Sequence, residues 1–82
     1  MLHVDVYIPA IMRSYEFSLN EHAKIGALVE EIAAIVRQKE NRQWEGEMSG
    51  LLLCNESTGH ILPTSKTLYQ CKVKPGSRLV LL

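Results

Sequence analysis

The chain has 82 residues, with nine basic side chains, nine acidic ones and no formal net charge. That length holds one domain around one core, and balanced charge with a pI near 6.8 argues against a protein that grips nucleic acid through its phosphates. Apolar runs such as Leu51–Cys54 and Leu79–Leu82 are far too short to span a bilayer.

The opening, Met1 to Asp5, carries neither a basic n-region nor an apolar h-region, so no secretory signal is expected and a cytosolic chain is. Leu2, Val4, Val6 and Ile8 alternate with His3, Asp5, Tyr7 and Pro9, the period-2 pattern of a half-buried strand. Pro9 to Met12 breaks it, because proline has no N–H for a central ladder. Tyr15, Phe17 and Leu19 then alternate with Ser14, Glu16 and Ser18, so the two runs read as an antiparallel hairpin.

The next segment, Ile25–Val36, predicts the helix on which the rest is built. Ile25, Leu28, Val29, Ile32, Ile35 and Val36 form one stripe of a 3.6-residue period, opposite Glu30, Glu31, Ala34 and Arg37. Burying six such side chains contributes roughly 9–18 kcal/mol before conformational entropy is subtracted. The start is weakly marked, since Lys24 is a poor cap and a cap from Asn20 would begin the helix early. Gly26 in the first turn lowers helix propensity and permits close packing.

Lys39–Gly50 reads as a polar surface connection. Leu51–Cys54 predicts a third strand, Asn55 to Gly59 a turn, and His60 to Leu62 a short return strand stopped by Pro63. Thr64 to Lys74 has anchors at Leu68, Cys71 and Val73 without a strict period, which suits a loop with one short helical turn. Lys74 to Ser77 fits a type II turn, with Pro75 second and Gly76 third. Leu79–Leu82 is a final strand too apolar for a sheet edge. The order ββ–α–ββ–β, with the last strand beside the first, predicts an α+β ubiquitin-like β-grasp: one domain over residues 1–82, a mixed four- to five-stranded sheet packed on one helix.

Chemistry is sparse. No phosphate-binding glycine loop, His-Glu-x-x-His pattern or Cys/His ligand spacing occurs, so no catalytic, cofactor or metal residues are expected. Cys54 and Cys71 read as reduced, semi-buried small hydrophobes, with a disulfide the lesser alternative in a reducing compartment. His3, His22 and His60 are scattered, and Glu30 and Glu31 diverge around the helix as a solvated pair. Trp44-Glu45-Gly46 spells W-x-G in an irregular loop and carries no weight. Trp44 itself either tucks against the helix end or anchors a partner.

A resemblance enters with the closing segment. Thr67 and Leu68, the spaced anchor Val73, the turn and the strand Leu79–Leu82 follow the ending of ubiquitin-like proteins. Val4-Asp5-Val6, Phe17-Ser18-Leu19 and the V-x-x-G-x-x-L of Val73, Gly76 and Leu79 make the chain most similar to the YukD/EsaB group. Those are small bacterial ubiquitin-like proteins that accompany type VII (WXG-substrate) secretion systems. The resemblance implies a non-enzymatic interaction module in the cytoplasm, an adaptor docking on a cytosolic domain of a secretion membrane component or on its ATPase. It would reach the inner face of the membrane only through that partner, with no membrane insertion and no nucleic acid; self-association is a further option. Ubiquitin and the sulfur carriers end in Gly-Gly, whereas this sequence ends inside a strand at Leu82, so conjugation is not expected. The alternatives are a sulfur- or acyl-carrier-type β-grasp protein with a missing tail, or a regulatory β-grasp subunit of an unrelated enzyme.

Alternation places the docking surface. Leu79 and Leu81 should face the core, leaving Val80 and Leu82 on the open face of the sheet, with Leu52 outward on the third strand. His3, Asp5 and Tyr7 would surround them. Leu52, Val80, Leu82, Tyr7 and Trp44 are therefore the candidate protein-binding residues.

Overall fold

The computed structural model describes residues 1–40 and 50–82. Strands β1 (Leu2–Ile8) and β2 (Arg13–Leu19) form the hairpin, joined by a 3-10 turn over Pro9–Ile11 and by Met12 at φ 53°. Helix α1 covers Ile25–Glu40, followed by β3 (Leu53–Asn55), β4 (His60–Ile61) and β5 (Arg78–Leu81). The strands lie in the order β2-β1-β5-β3-β4, parallel between β1 and β5 and antiparallel elsewhere. The expected β-grasp order is therefore present, with the final strand at the sheet centre beside the first.

Period-2 alternation puts Leu2, Val4, Val6 and Ile8 under the helix, where they meet Phe17 and Leu19 of β2 and Leu79, Leu81 and Leu53 across the sheet. From the other side come Ile25, Leu28, Val29, Ile32, Ala33 and Val36, all buried. Ile35 of the predicted stripe is only half-buried, and Ala33 takes a core place instead.

The helix ends one turn later than its apolar pattern. Glu40, with its side chain 7% exposed, lies 3.6 Å from Arg13 Nε through Oε1, and the Tyr15 hydroxyl donates to its Oε2. A carboxylate at a helix C-terminus opposes the helix dipole, and these two β2 groups offset that cost for Glu40. The rest of the predicted 39–50 connection, residues 41–49 with Trp44, lies outside the described residues. Removing the donor should be felt: Tyr15→Phe leaves part of a buried carboxylate unsatisfied and should cost about 1–3 kcal/mol. The check is urea unfolding, with a lower midpoint at unchanged slope.

The uncapped helix start is also explained by tertiary contacts. The N–H groups of Ile25 and Gly26 donate to the carbonyls of Lys66 (2.8 Å) and Thr64 (3.0 Å). Backbone from the C-terminal half thus does the work of a side-chain cap. Gly26 allows it, because a Cβ there would sit 3.3 Å from Thr64 Cβ.

Turn chemistry follows the sequence closely. Asn55 Oδ1 accepts from the N–H (3.1 Å) and hydroxyl (2.9 Å) of Ser57, shaping the β3–β4 turn. Thr67 and Gln70 form a reciprocal pair, each N–H donating 3.0 Å to the other's side chain, in the manner of a capping box. The predicted single helical turn begins there. In the type II turn the Ser77 N–H donates to the Lys74 carbonyl at 3.0 Å, with Gly76 at φ 82°. Nothing lies within 4 Å of a Cβ built at Gly76, so Gly76→Ala should cost only the left-handed backbone strain, about 1–2 kcal/mol. Thermal unfolding would show it.

Candidate functional site

The face of the sheet away from α1 carries the site. Pairing aligns Ser14, Tyr7, Val80, Cys54 and Ile61 in one row across all five strands. Side chains that are direct partners in register share a face. Just beyond β3 and β5, Leu52 and Leu82 exchange backbone hydrogen bonds of 2.9 and 2.8 Å, which adds a second apolar pair. Leu52 is 37% exposed, and Leu82 and Ile61 are each 56% exposed. Tyr7, Val80 and Cys54 are half-buried between them.

The next row towards the other end of the sheet is charged. Glu16, Asp5 and Arg78 are register partners, and Arg78 Nε lies 3.3 Å from Glu56 Oε2. Ser18 and His3 form a further polar row. The open face is therefore apolar at one end, with an ion-paired border beside it and a polar remainder. An apolar centre next to a polar margin is the anatomy of a protein-binding surface.

The structure thus gathers four of the five expected residues: Leu52, Val80, Leu82 and Tyr7. Trp44 lies outside the described residues. Strand boundaries shift, and the return strand ends at Ile61 rather than Leu62. The third strand runs Leu53–Asn55 rather than from Leu51, leaving Leu52 beside the strand but still paired to Leu82. The last strand runs Arg78–Leu81 rather than to Leu82. Cys54 and Ile61 join the patch without having been anticipated. Their membership follows from the Cys54–Ile61 register, which an apolar run alone does not reveal. The two cysteines are half-buried and unbonded to each other; Cys71 packs against the core, whereas Cys54 sits in the open-face row.

Among the described residues no cluster of three His, Cys, Asp or Glu side chains could hold a metal ion, and no helix is long and apolar enough to cross a membrane. Neither a family model nor a curated protein matches the sequence. Solved structures do match. The ubiquitin-like domain of the Mycobacterium tuberculosis type VII secretion protein EccD1 has a TM-score of 0.71 at 16% identity, over 100% of this chain and 99% of that one. The EccD5 ubiquitin-like domain from Mycobacterium xenopi has a TM-score of 0.72 at 23% identity, over 99% and 91%. The fold is the ubiquitin-like β-grasp. A chain of the toluene 4-monooxygenase HD complex is similar too, with a TM-score of 0.80 at 10% identity over 98% and 94%. One fold therefore serves secretion proteins and an oxygenase complex alike, and the surface has to carry the functional argument.

Proposed function

We propose that this chain is a non-enzymatic adaptor that binds a protein partner through the apolar end of its open sheet face. The observation that carries the reading is the continuous set Tyr7, Val80, Cys54, Ile61, Leu52 and Leu82 on a face that the helix does not cover. Burying that set against a partner removes apolar surface from water, and the Arg78–Glu56 pair at its border supplies register and specificity.

The partner we assign is a cytosolic domain of a type VII secretion membrane component, or the ATPase of that system. Similarity in fold to the EccD1 and EccD5 domains supports it, as do the YukD/EsaB-like sequence features. The chain would then work in the cytoplasm at the inner membrane face, held there by its partner, with no cofactor, metal or nucleic acid involved. The test is co-expression with the cytosolic domains of type VII secretion membrane components and, separately, with the ATPase of such a system. A complex that survives size-exclusion chromatography is the expected result; separate elution from all of them would overturn the secretion assignment.

A second reading has one observation in its favour. The similarity to a chain of the toluene 4-monooxygenase HD complex supports a non-catalytic place in an enzyme complex, for which a regulatory β-grasp subunit is our second reading. Co-purification with a catalytic subunit, in place of a secretion component, would select it.

A further inference from the structure

A second surface shares no residue with the open-face patch. An open groove of about 640 Å³ is lined by the apolar or aromatic Met1, Leu2, Tyr69, Val73 and Pro75 together with Glu21, Gln70, Lys72 and Lys74. Leu2 and Val73 are buried beneath it, at 4% and 6% exposure, while Met1 and Tyr69 stand out at 79% and 64%. Tyr69 forms one wall: its N–H donates to the Glu21 carbonyl at 3.0 Å, and its ring lies 5.1 Å from that of His22.

Two of the residues lining the groove are basic, Lys72 and Lys74. From Ser57 to Leu82 the chain carries Lys66, Lys72, Lys74 and Arg78 and no acidic residue, although the whole chain is neutral. Lys72 and Lys74 both reach the groove, and among the described residues neither forms an ion pair. Glu21 is the single carboxylate in the lining.

The backbone at Lys72 adds a separate observation. Its N–H donates to the Tyr69 carbonyl and the Val73 N–H to the Leu68 carbonyl, each at 3.1 Å. That is the Schellman closure of a helical turn, whose left-handed position glycine usually fills. Here a lysine holds it at φ 59°. A β-carbon in that conformation costs about 1–2 kcal/mol. A strained residue whose side chain lies at a groove is a reason to look for a role of that side chain.

We infer that this groove binds an acidic segment of a protein partner, seating an apolar side chain over Leu2, Val73 and Pro75 between carboxylates that pair with Lys72 and Lys74. Charge complementarity points to this occupant: among the described residues Lys72 and Lys74 form no ion pair, and an anionic segment with an apolar anchor satisfies both the lysines and the apolar lining.

The test uses the full chain and two acetylated hexapeptides, Asp-Glu-Leu-Phe-Glu-Asp and its uncharged counterpart Asn-Gln-Leu-Phe-Gln-Asn, followed by amide NMR shifts. The acidic peptide should move the resonances of Leu2, His3 and Tyr69 to Lys74, and bind at least about tenfold more tightly than the neutral one at low salt, a difference that salt should erode. Lys72→Gly should melt at the wild-type temperature or above it, since glycine relieves the strain, and yet weaken the acidic peptide severalfold. Lys74→Gln should weaken it without moving the melting temperature. A Leu52→Asp, Val80→Asp variant should bind the peptide as wild type does, so the groove stands or falls apart from the open face. Equal binding of the two peptides would overturn the inference, as would shifts elsewhere or none at millimolar peptide. Vesicles of phosphatidylglycerol and phosphatidylcholine that engage these residues while the peptide does not would overturn it in favour of a lipid surface.

Discussion

Ile32→Asp should unfold the domain or leave it barely folded. Ile32 is fully buried at the middle of α1, against the sheet. The substitution removes a packed side chain, about 2–5 kcal/mol by itself, and adds a carboxylate with no partner in that interior. A domain of this size has only about 4–12 kcal/mol of stability to lose. Far-UV circular dichroism should therefore show loss of helix at 25 °C, or a melting temperature lower by 20 °C or more. Glu31 is the control, since it is exposed on the wet side of the same turn. Glu31→Gln should stay within about 0.5 kcal/mol of wild type. Equal melting of Ile32→Asp and wild type would mean that the helix buries a different face.

Leu52→Asp combined with Val80→Asp should abolish partner binding while the domain stays folded. Both residues lie on the face away from the helix, so neither substitution opens the main core. Val80 is half-buried between its partners Tyr7 and Cys54, and replacing a β-branched residue in that central strand should cost about 1–2 kcal/mol. Losing two central contacts of about 2 kcal/mol each would weaken binding by about 1000-fold. Leu82→Asp offers a milder route to the same answer, because that side chain is already 56% exposed. Glu30→Lys with Glu31→Lys, on the exposed helix side, should leave affinity within about twofold. Unfolding of the double variant, with Leu82→Asp binding normally, would assign these residues to the core. A folded variant that still binds would make the patch idle.

The elements legible in the sequence are those whose periodicity is local. Alternation in Leu2–Ile8 and the stripe from Ile25 to Val36 each report a buried face, and the Pro75–Gly76 pair dictates its own turn. What stayed hidden depends on residues far apart in the chain. The last turn of α1 contacts Tyr15 and Arg13 of β2 through Glu40, and its first turn donates to the carbonyls of Thr64 and Lys66. Neither contact leaves a mark near the helix. The site divides in the same way. Val80 and Leu82 were readable because a strand that starts by burying Leu79 must turn Val80 outward. In Leu51–Cys54 every residue is apolar, so alternation cannot mark the register, and only pairing with Leu79–Leu82 places Leu53 inward and Cys54 outward. Ile61 occupies a two-residue strand with no pattern of its own, and its facing comes entirely from Cys54.

Methyl cross-saturation NMR on the chain bound to its partner tests the docking surface most directly. With the partner irradiated, the methyl signals of Leu52, Ile61, Val80 and Leu82 should lose intensity, while those of Ala27 and Ala34 on the exposed side of α1 should keep theirs. Saturation concentrated on the helix methyls, with the open-face methyls untouched, would contradict the account.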